Sequence, residues 1–374
     1  MSKKVIVAGH ICLDITPVFE GGKRKNISDV LLPGKLVQTE GASVSTGGAV
    51  ANTGLAMKLL GADVSLMGKI GTDDFGNMIC GILDRYDAAD GMIRAAGENT
   101  SYSVVLAIPG IDRVFLHCPG ANNTYTASDV SEAALSGAAL FHFGYPPLMR
   151  SMYVNGGGEL VNLFKKVHDA GCATSLDMAA IDPDSESGLV DWRSILEQLM
   201  PHVDFFVPSV EELYYMLDRE RFEQLRVRAG GSDITEILDL EEDIKPLADI
   251  CMDMGCKVLM LKCGAPGLYL RTASEEMLNK IPARLELDSC KWANIEQFER
   301  SYKPDKVLSG TGAGDTSIAA FLTSILNKEE PDKCMQLATA TGAMCVSAYD
   351  ALSGLISLDE LKMRIDEGWE KLGE

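Results

Sequence analysis

The stretch Gly310-Thr311-Gly312-Ala313-Gly314-Asp315-Thr316, running directly into the apolar Ile318-Ala319-Ala320-Phe321-Leu322, decides how this chain is read. Small residues let backbone approach a ligand closely. A helix beginning where the glycines end, here over 316–326, turns its unpaired N–H groups toward that ligand. The product is an anion site with a carboxylate, Asp315, beside it. A lone aspartate there is often only a helix cap. Beside an anion cradle it also suits phosphoryl transfer: the N–H groups hold charge developing on the phosphoryl oxygens, and the carboxylate takes the proton of the attacking hydroxyl.

Two further segments share this character. In Thr46-Gly47-Gly48-Ala49-Val50-Ala51-Asn52, paired glycines again precede a helix, and Asn52 sits one turn inside it. Asparagine is mildly unfavourable in a helix, so a binding role competes with a plain strand-to-helix turn. In Gly9-His10-Ile11-Cys12-Leu13-Asp14, an acid follows the first strand. Ligands of open α/β sheets gather at the carboxyl ends of strands, although an aspartate there is also an ordinary turn residue.

Between these landmarks, strands and helices alternate as in a mostly parallel sheet covered on both faces. Strands are expected at 5–8, 63–67, 139–143, 173–176, 205–207, 258–261 and 267–271. Helices are expected at 49–60, 159–170, 316–326, 332–348 and 358–372. Residues 15–46 have no helical period, and 100–118 read as a hairpin with its turn at 109–113. Both look antiparallel and form a small β lid on a single domain spanning 1–374. The polar segments 218–240 and 274–306 are expected as surface excursions.

Composition narrows the class. The chain has 374 residues, 46% hydrophobic and 24% charged, which supports a large core and excludes global disorder. No apolar run approaches a membrane span, and the N-terminus resembles no signal peptide. The net charge of −20, from 54 acidic and 34 basic residues, leaves no basic footprint for nucleic acid. Ten scattered cysteines without a Cys-x-x-Cys pair read as free thiols of a cytoplasmic protein. The P-loop, the dinucleotide-binding glycine fingerprint after the first strand and the Gly-x-Ser-x-Gly elbow are all missing.

Together, Gly47-Gly48-x-x-x-Asn52, Gly312-Ala313-Gly314-Asp315 and an acid after the first strand resemble the ribokinase-like (PfkB) carbohydrate kinases. Gly71-Thr72-Asp73-Asp74-Phe75-Gly76, Gly120-Ala121-Asn122 and Lys262-Cys263-Gly264-Ala265-Pro266-Gly267 extend the resemblance over essentially the whole chain. It implies a three-layer α/β sandwich with a mostly parallel central sheet. It implies ATP-dependent, magnesium-assisted phosphorylation of a hydroxyl on a sugar or polyol. It makes Asp315 the base and Gly312, Ala313 and Gly314 the anion hole. Asp14, Gly47, Gly48 and Asn52 would hold the acceptor. Gly264, Gly267 and Thr339 would line the nucleotide site. Lys262 would neutralise a phosphate or be a solvated lysine, and Arg113 would reach the ligands from the lid or be a turn residue.

Two positions depart from the family. Its Asn-x-x-Glu motif reads Ser209-Val210-Glu211-Glu212 here, keeping Glu212 to act on magnesium through water. Six residues before Asp315, Ser309 stands where the family often has an aspartate tied to a monovalent cation, so no such cation is assigned. A nucleoside kinase of the same fold and a ligand-sensing protein without turnover are the alternatives. A phosphosugar ranks lower, having only Arg113 and Lys35 to meet it. The free edge of the lid suggests a homodimer.

Overall fold

The computed structural model of the chain describes residues 3–373 except Glu20 and Asp112, the latter being part of the expected 109–113 turn. In chain order its strands are β1 Lys4–Gly9, β2 Cys12–Val18, β3 Gly41–Gly47, β4 Asp63–Gly71, β5 Ile93–Ala95, β6 Tyr102–Leu106, β7 Val114–Cys118, β8 Ala138–Gly144, β9 Ala173–Asp177, β10 Phe205–Phe206, β11 Val258–Lys262, β12 Gly267–Thr272 and β13 Glu296–Arg300. The main sheet has the order β13-β12-β11-β10-β9-β8-β1-β4-β5. Its pairings from β5 to β11 are parallel, and β12 and β13 close one edge antiparallel.

Alternating side chains divide between two cores. Val5, Val7, Val258 and Met260 pack with Ile318, Phe321 and Leu337 on one face. Ile6, Ala8, Leu259 and Leu261 pack with Phe141, Leu163 and Phe164 on the other. Nearly continuous apolar strands buried on both faces are what a helix-covered parallel sheet requires. The result is the expected three-layer α/β sandwich.

The chain order reverses at β1, with β4 on one side and β8 on the other, and ligands of open sheets bind at such a switch point. There the backbones close tightly: the N–H of His10 donates to Gly144 O at 3.1 Å, and a Cβ on Gly9 would overlap the same carbonyl. The carboxyl ends of β1, β8, β9 and β11 therefore open at one edge of the molecule, carrying His10, Tyr145, Asp177 and Lys262.

The second sheet has the order β3-β2-β6-β7 and forms the lid. Two features correct the sequence reading. The two lid segments are each antiparallel hairpins, but they join through a parallel pairing of β2 with β6. Each hairpin signal is local, whereas the β2–β6 pairing depends on where the core places them. The 274–306 segment is also not only an excursion, because it supplies the edge strand β13. Its alternating charges reflect a half-exposed strand rather than a loop. Among the described residues, no helix is long and apolar enough to cross a membrane.

Candidate active site

The helix Ala313–Leu326 starts three residues earlier than its sequence suggests, with Gly312 at the N-cap, φ 79°. Only glycine takes that left-handed conformation without cost. No side chain caps this helix. Asp315 is consequently not the cap but a first-turn residue, 5% exposed and held by side chains from elsewhere. Asn52 Nδ2 donates to its Oδ2 at 3.0 Å. Tyr145 Oη donates to Oδ1 at 2.6 Å, and Thr53 Oγ1 to the same oxygen at 3.3 Å. Three neutral donors on one buried carboxylate fix it as an acceptor at the mouth of the glycine turn.

That turn opens into a cavity of about 710 Å3. Its walls include Gly312, Ala313, Gly314, Asp315, Ser209, Glu212, Lys262, Gly264 and Thr339, so nine residues chosen from sequence meet there. Gly267 does not line it. A Cβ at that position would overlap the Glu299 carbonyl on β13, so this glycine serves strand packing. Thr339 turns its hydroxyl back onto Met335 O and Gln336 O, leaving its methyl side for the cavity. Ser209 and Glu212 form a capping box on the helix Val210–Leu217, with Ser209 N donating to Glu212 Oε2 at 2.7 Å. Serine caps as well as asparagine does, so the departure from the family's motif keeps the start of this helix.

Segments read as surface excursions also reach this cavity. Asp233 and Thr235 come from 218–240, and Ser301, Tyr302 and Pro304 from 274–306. The Cβ that Gly264 lacks would lie 2.7 Å from Thr235 Cβ, which explains a glycine at φ 66°. Polar segments carry no periodic signal for a pocket wall, so sequence alone gave no reason to place them here.

Two residues passed over in sequence hold the centre. Asp177, ending β9, accepts from Lys262 Nζ at 2.7 Å, with side chains 1% and 13% exposed. Burial, then Glu212 and Asp315, push the Asp177 carboxyl well above its usual range, with Lys262 opposing. Burial works against the charge of Lys262, but Asp177, Glu212 and Asp315 outweigh it and raise the ammonium. Lys262 is thus a cation at the cradle, since a Cβ on Gly314 would lie 3.6 Å from its Nζ. Tyr145 follows β8 with φ 71°, a conformation costing an aromatic residue about 1–3 kcal/mol. A polar residue at the carboxyl end of a parallel strand was the available signal for both.

The remaining choices sit on the lid side. Gly47 backs Asp14, because a Cβ there would overlap Asp14 Oδ2. Gly48, φ 87°, backs His10, with the missing Cβ 2.6 Å from Nδ1. Asp14 is half-buried and accepts from Cys12 Sγ at 3.3 Å; burial raises its pKa while Cys12 and Ser103 oppose the rise. Arg113 reaches from the lid to the Thr311 hydroxyl. Ser309 engages Thr311 at 3.0 Å and so braces the glycine turn. Asn122, buried, clamps Ile11 through its N–H and carbonyl. Asp73 caps the helix Asp74–Leu83 and binds Thr100. These two motif residues hold the frame rather than the ligand.

Residues 2–357 match the model of the pfkB family of carbohydrate kinases. The chain belongs to this family. It is a kinase of the carbohydrate type. An uncharacterized sugar kinase of Archaeoglobus fulgidus is 22% identical over 78% of this chain and 95% of its own length. Arabidopsis thaliana ribokinase, solved with ribose and ATP, superposes with a TM-score of 0.69 at 18% identity, covering 97% of this chain and 98% of its own. The Methanocaldococcus jannaschii nucleoside kinase gives 0.65 at 18% identity over 98% of both chains. At such identities the structures speak for the shared fold.

Proposed function

We propose that this kinase moves the γ-phosphate of ATP to a hydroxyl of a sugar or sugar-like polyol, with Asp315 as general base. The observation that carries the reading is the joint placement of Asp315, the Gly312–Gly314 turn and Lys262 around one cavity. The acceptor lies between Asp14, Gly47, Gly48 and Asn52, so that its reactive hydroxyl meets the Asp315 carboxylate. Asn52, Thr53 and Tyr145 hold that carboxylate in place, and burial beside it excludes water. Asp315 takes the hydroxyl proton as the oxygen attacks phosphorus. The first-turn N–H groups and Lys262 hold the charge on the transferred phosphoryl oxygens.

The nucleotide occupies the part of the cavity beyond Lys262, along Gly264 and Thr339. Magnesium fits the oxygen donors of Glu212 and Asp177: it favours one or two carboxylates, phosphate oxygens and several waters. Among the described residues, no cluster of three or more His, Cys, Asp or Glu side chains is built to hold a metal alone. Glu212, one oxygen of which serves the helix cap, would reach the ion through water. When bound, magnesium neutralises phosphate oxygens. Arg113 acts from the lid on the phosphate side, through Thr311. No monovalent cation is assigned, and the chain works as one kinase domain over 1–374.

Ten free cysteines, most of them buried, support a reducing cytoplasm as its compartment. The lid exposes Val44, Val114, Phe115 and Leu116, which supports a homodimer through it. A panel of sugars, polyols and nucleosides assayed for ADP release with magnesium and ATP tests the reading. Acceptor-dependent release supports it, and ATP hydrolysis indifferent to every acceptor contradicts it.

A further inference from the structure

The floor of the acceptor side holds a group that the catalytic account leaves idle. His10 is 2% exposed, and neither of its ring nitrogens has a partner among the described residues. Buried polar groups are otherwise almost always hydrogen-bonded. The ring lies where acceptor-side elements converge. Gly48 backs its Nδ1, the Tyr145 ring is 5.9 Å away and the His117 ring of the lid is 5.3 Å away. Tyr145 carries the hydroxyl that holds Asp315, and His117 bonds Ser103 at 3.0 Å, which stands opposite Asp14 across the β2–β6 pairing. His10 therefore lies between Tyr145, which holds Asp315, and His117 of the lid. The proposed acceptor space is open to solvent at its rim, where His117 is exposed and Asp14, Asn52 and Tyr145 are half-buried.

Resting on the proposed kinase reading, we propose that His10 is a specificity-determining residue which hydrogen-bonds hydroxyls of an uncharged polyhydroxyl acceptor. A neutral imidazole offers one N–H donor and one acceptor nitrogen, and a hydroxyl can answer either. Burial, with His117 adding, lowers the His10 pKa to about 3, so the ring stays neutral. The carboxyl groups of Asp14 and Asp315 border this space. Two cations of the site are turned to other partners: Arg113 to Thr311 and Lys262 to Asp177. A phosphate or carboxylate on the acceptor would thus lie beside carboxyl groups, with both of these cations already engaged.

The test is steady-state kinetics on neutral sugars, polyols and nucleosides against sugar phosphates and sugar acids, for wild type, His10→Phe, His10→Asn and His10→Gln. The two amides return a donor and an acceptor at the places of Nδ1 and Nε2. ATP affinity and a thermal melt monitor the fold. The proposal expects a neutral acceptor to be preferred. It expects His10→Phe to lose about tenfold to a hundredfold in kcat/KM for that acceptor. ATP affinity should be kept, and at least one amide variant should recover most of the loss. A phosphorylated or acidic sugar as the best acceptor overturns the proposal while the kinase reading stands. So does a His10→Phe enzyme within about twofold of wild type, or a loss that neither amide reverses. Phosphoryl transfer to no acceptor of either class overturns the kinase reading, and this proposal with it.

Discussion

The Lys262–Asp177 pair gives the sharpest test of the cavity's electrostatics. Replacing Lys262 by Met keeps most of the side chain's volume and removes the ammonium 2.7 Å from Asp177 Oδ1. At that separation the attraction is about 6 kcal/mol for an effective dielectric of about 20, before desolvation is counted. Breaking one side of a buried pair costs about 3–5 kcal/mol, because the other charge is left uncompensated. Asp177 is 1% exposed and already faces Glu212 and Asp315, so on losing Lys262 it relieves the stranded charge by taking up a proton, and the lower part of that range is expected for Lys262→Met. The double variant Lys262→Met with Asp177→Asn leaves no stranded charge and should regain most of the loss. The sign with pH follows from Asp177. Its folded pKa is raised, so stability is fully present below the unfolded value and is lost as pH rises through the folded one. Losing Lys262 raises it further, so the deficit of Lys262→Met should shrink in acid. Urea unfolding of wild type, both single variants and the double at about pH 7 and about pH 5 measures all of this. The Michaelis constant for ATP, measured alongside, should rise in every variant lacking Lys262. A Lys262→Met protein within about 1 kcal/mol of wild type, with no pH trend, would refute the reasoning.

Gly47→Ala places a Cβ against the Asp14 carboxylate, 2.7 Å from its Cγ. Acceptor kcat/KM should fall about tenfold or more with ATP affinity retained, as competition binding can show. Asp73→Ala removes a helix cap and the bonds from Thr100, so a loss of about 2 kcal/mol is expected by chemical denaturation. Burial opposes the charge of Asp73, but hydrogen bonds from Thr100 and Gly76 hold its pKa below the usual range. Its contribution is therefore present above the unfolded value and vanishes as pH falls through the folded one, narrowing the gap between wild type and Asp73→Ala in acid. Phe115→Lys places a charge on the exposed lid face, and light scattering should show a dimer in wild type reduced to monomer.

The parts of this molecule that are local in sequence were legible there. The Gly310–Asp315 run, the Gly47-Gly48 turn and the alternating strands each carry their own steric signature, and each appears where expected. Tyr145 and Asp177 lacked such a signature: what makes them central is that β8 and β9 end beside β1 and near β11, which is a property of strand order. The parallel β2–β6 pairing escaped for the same reason. The Ala313–Leu326 helix starts earlier than its sequence suggests because Ala313 and Gly314 look like loop, whereas Gly312 alone supplies the left-handed turn. That shift matters for mechanism. With Gly312 as the cap, helix capping no longer explains Asp315, and its three side-chain donors mark it as a residue held for another purpose.

The central claim is that Asp315 accepts the proton of the attacking hydroxyl, and the Asp315→Asn variant tests it most directly. Asparagine preserves the shape and one acceptor oxygen for Asn52, Thr53 or Tyr145, but cannot take a proton. The measurement is kcat with a saturating acceptor, taken on protein shown to be folded by its thermal melt and to bind ATP. The account predicts a fall of about 10²–10⁴-fold, the range for losing a general base, with ATP affinity close to wild type. A folded, ATP-binding Asp315→Asn enzyme that retains more than about a tenth of the wild-type kcat would contradict it.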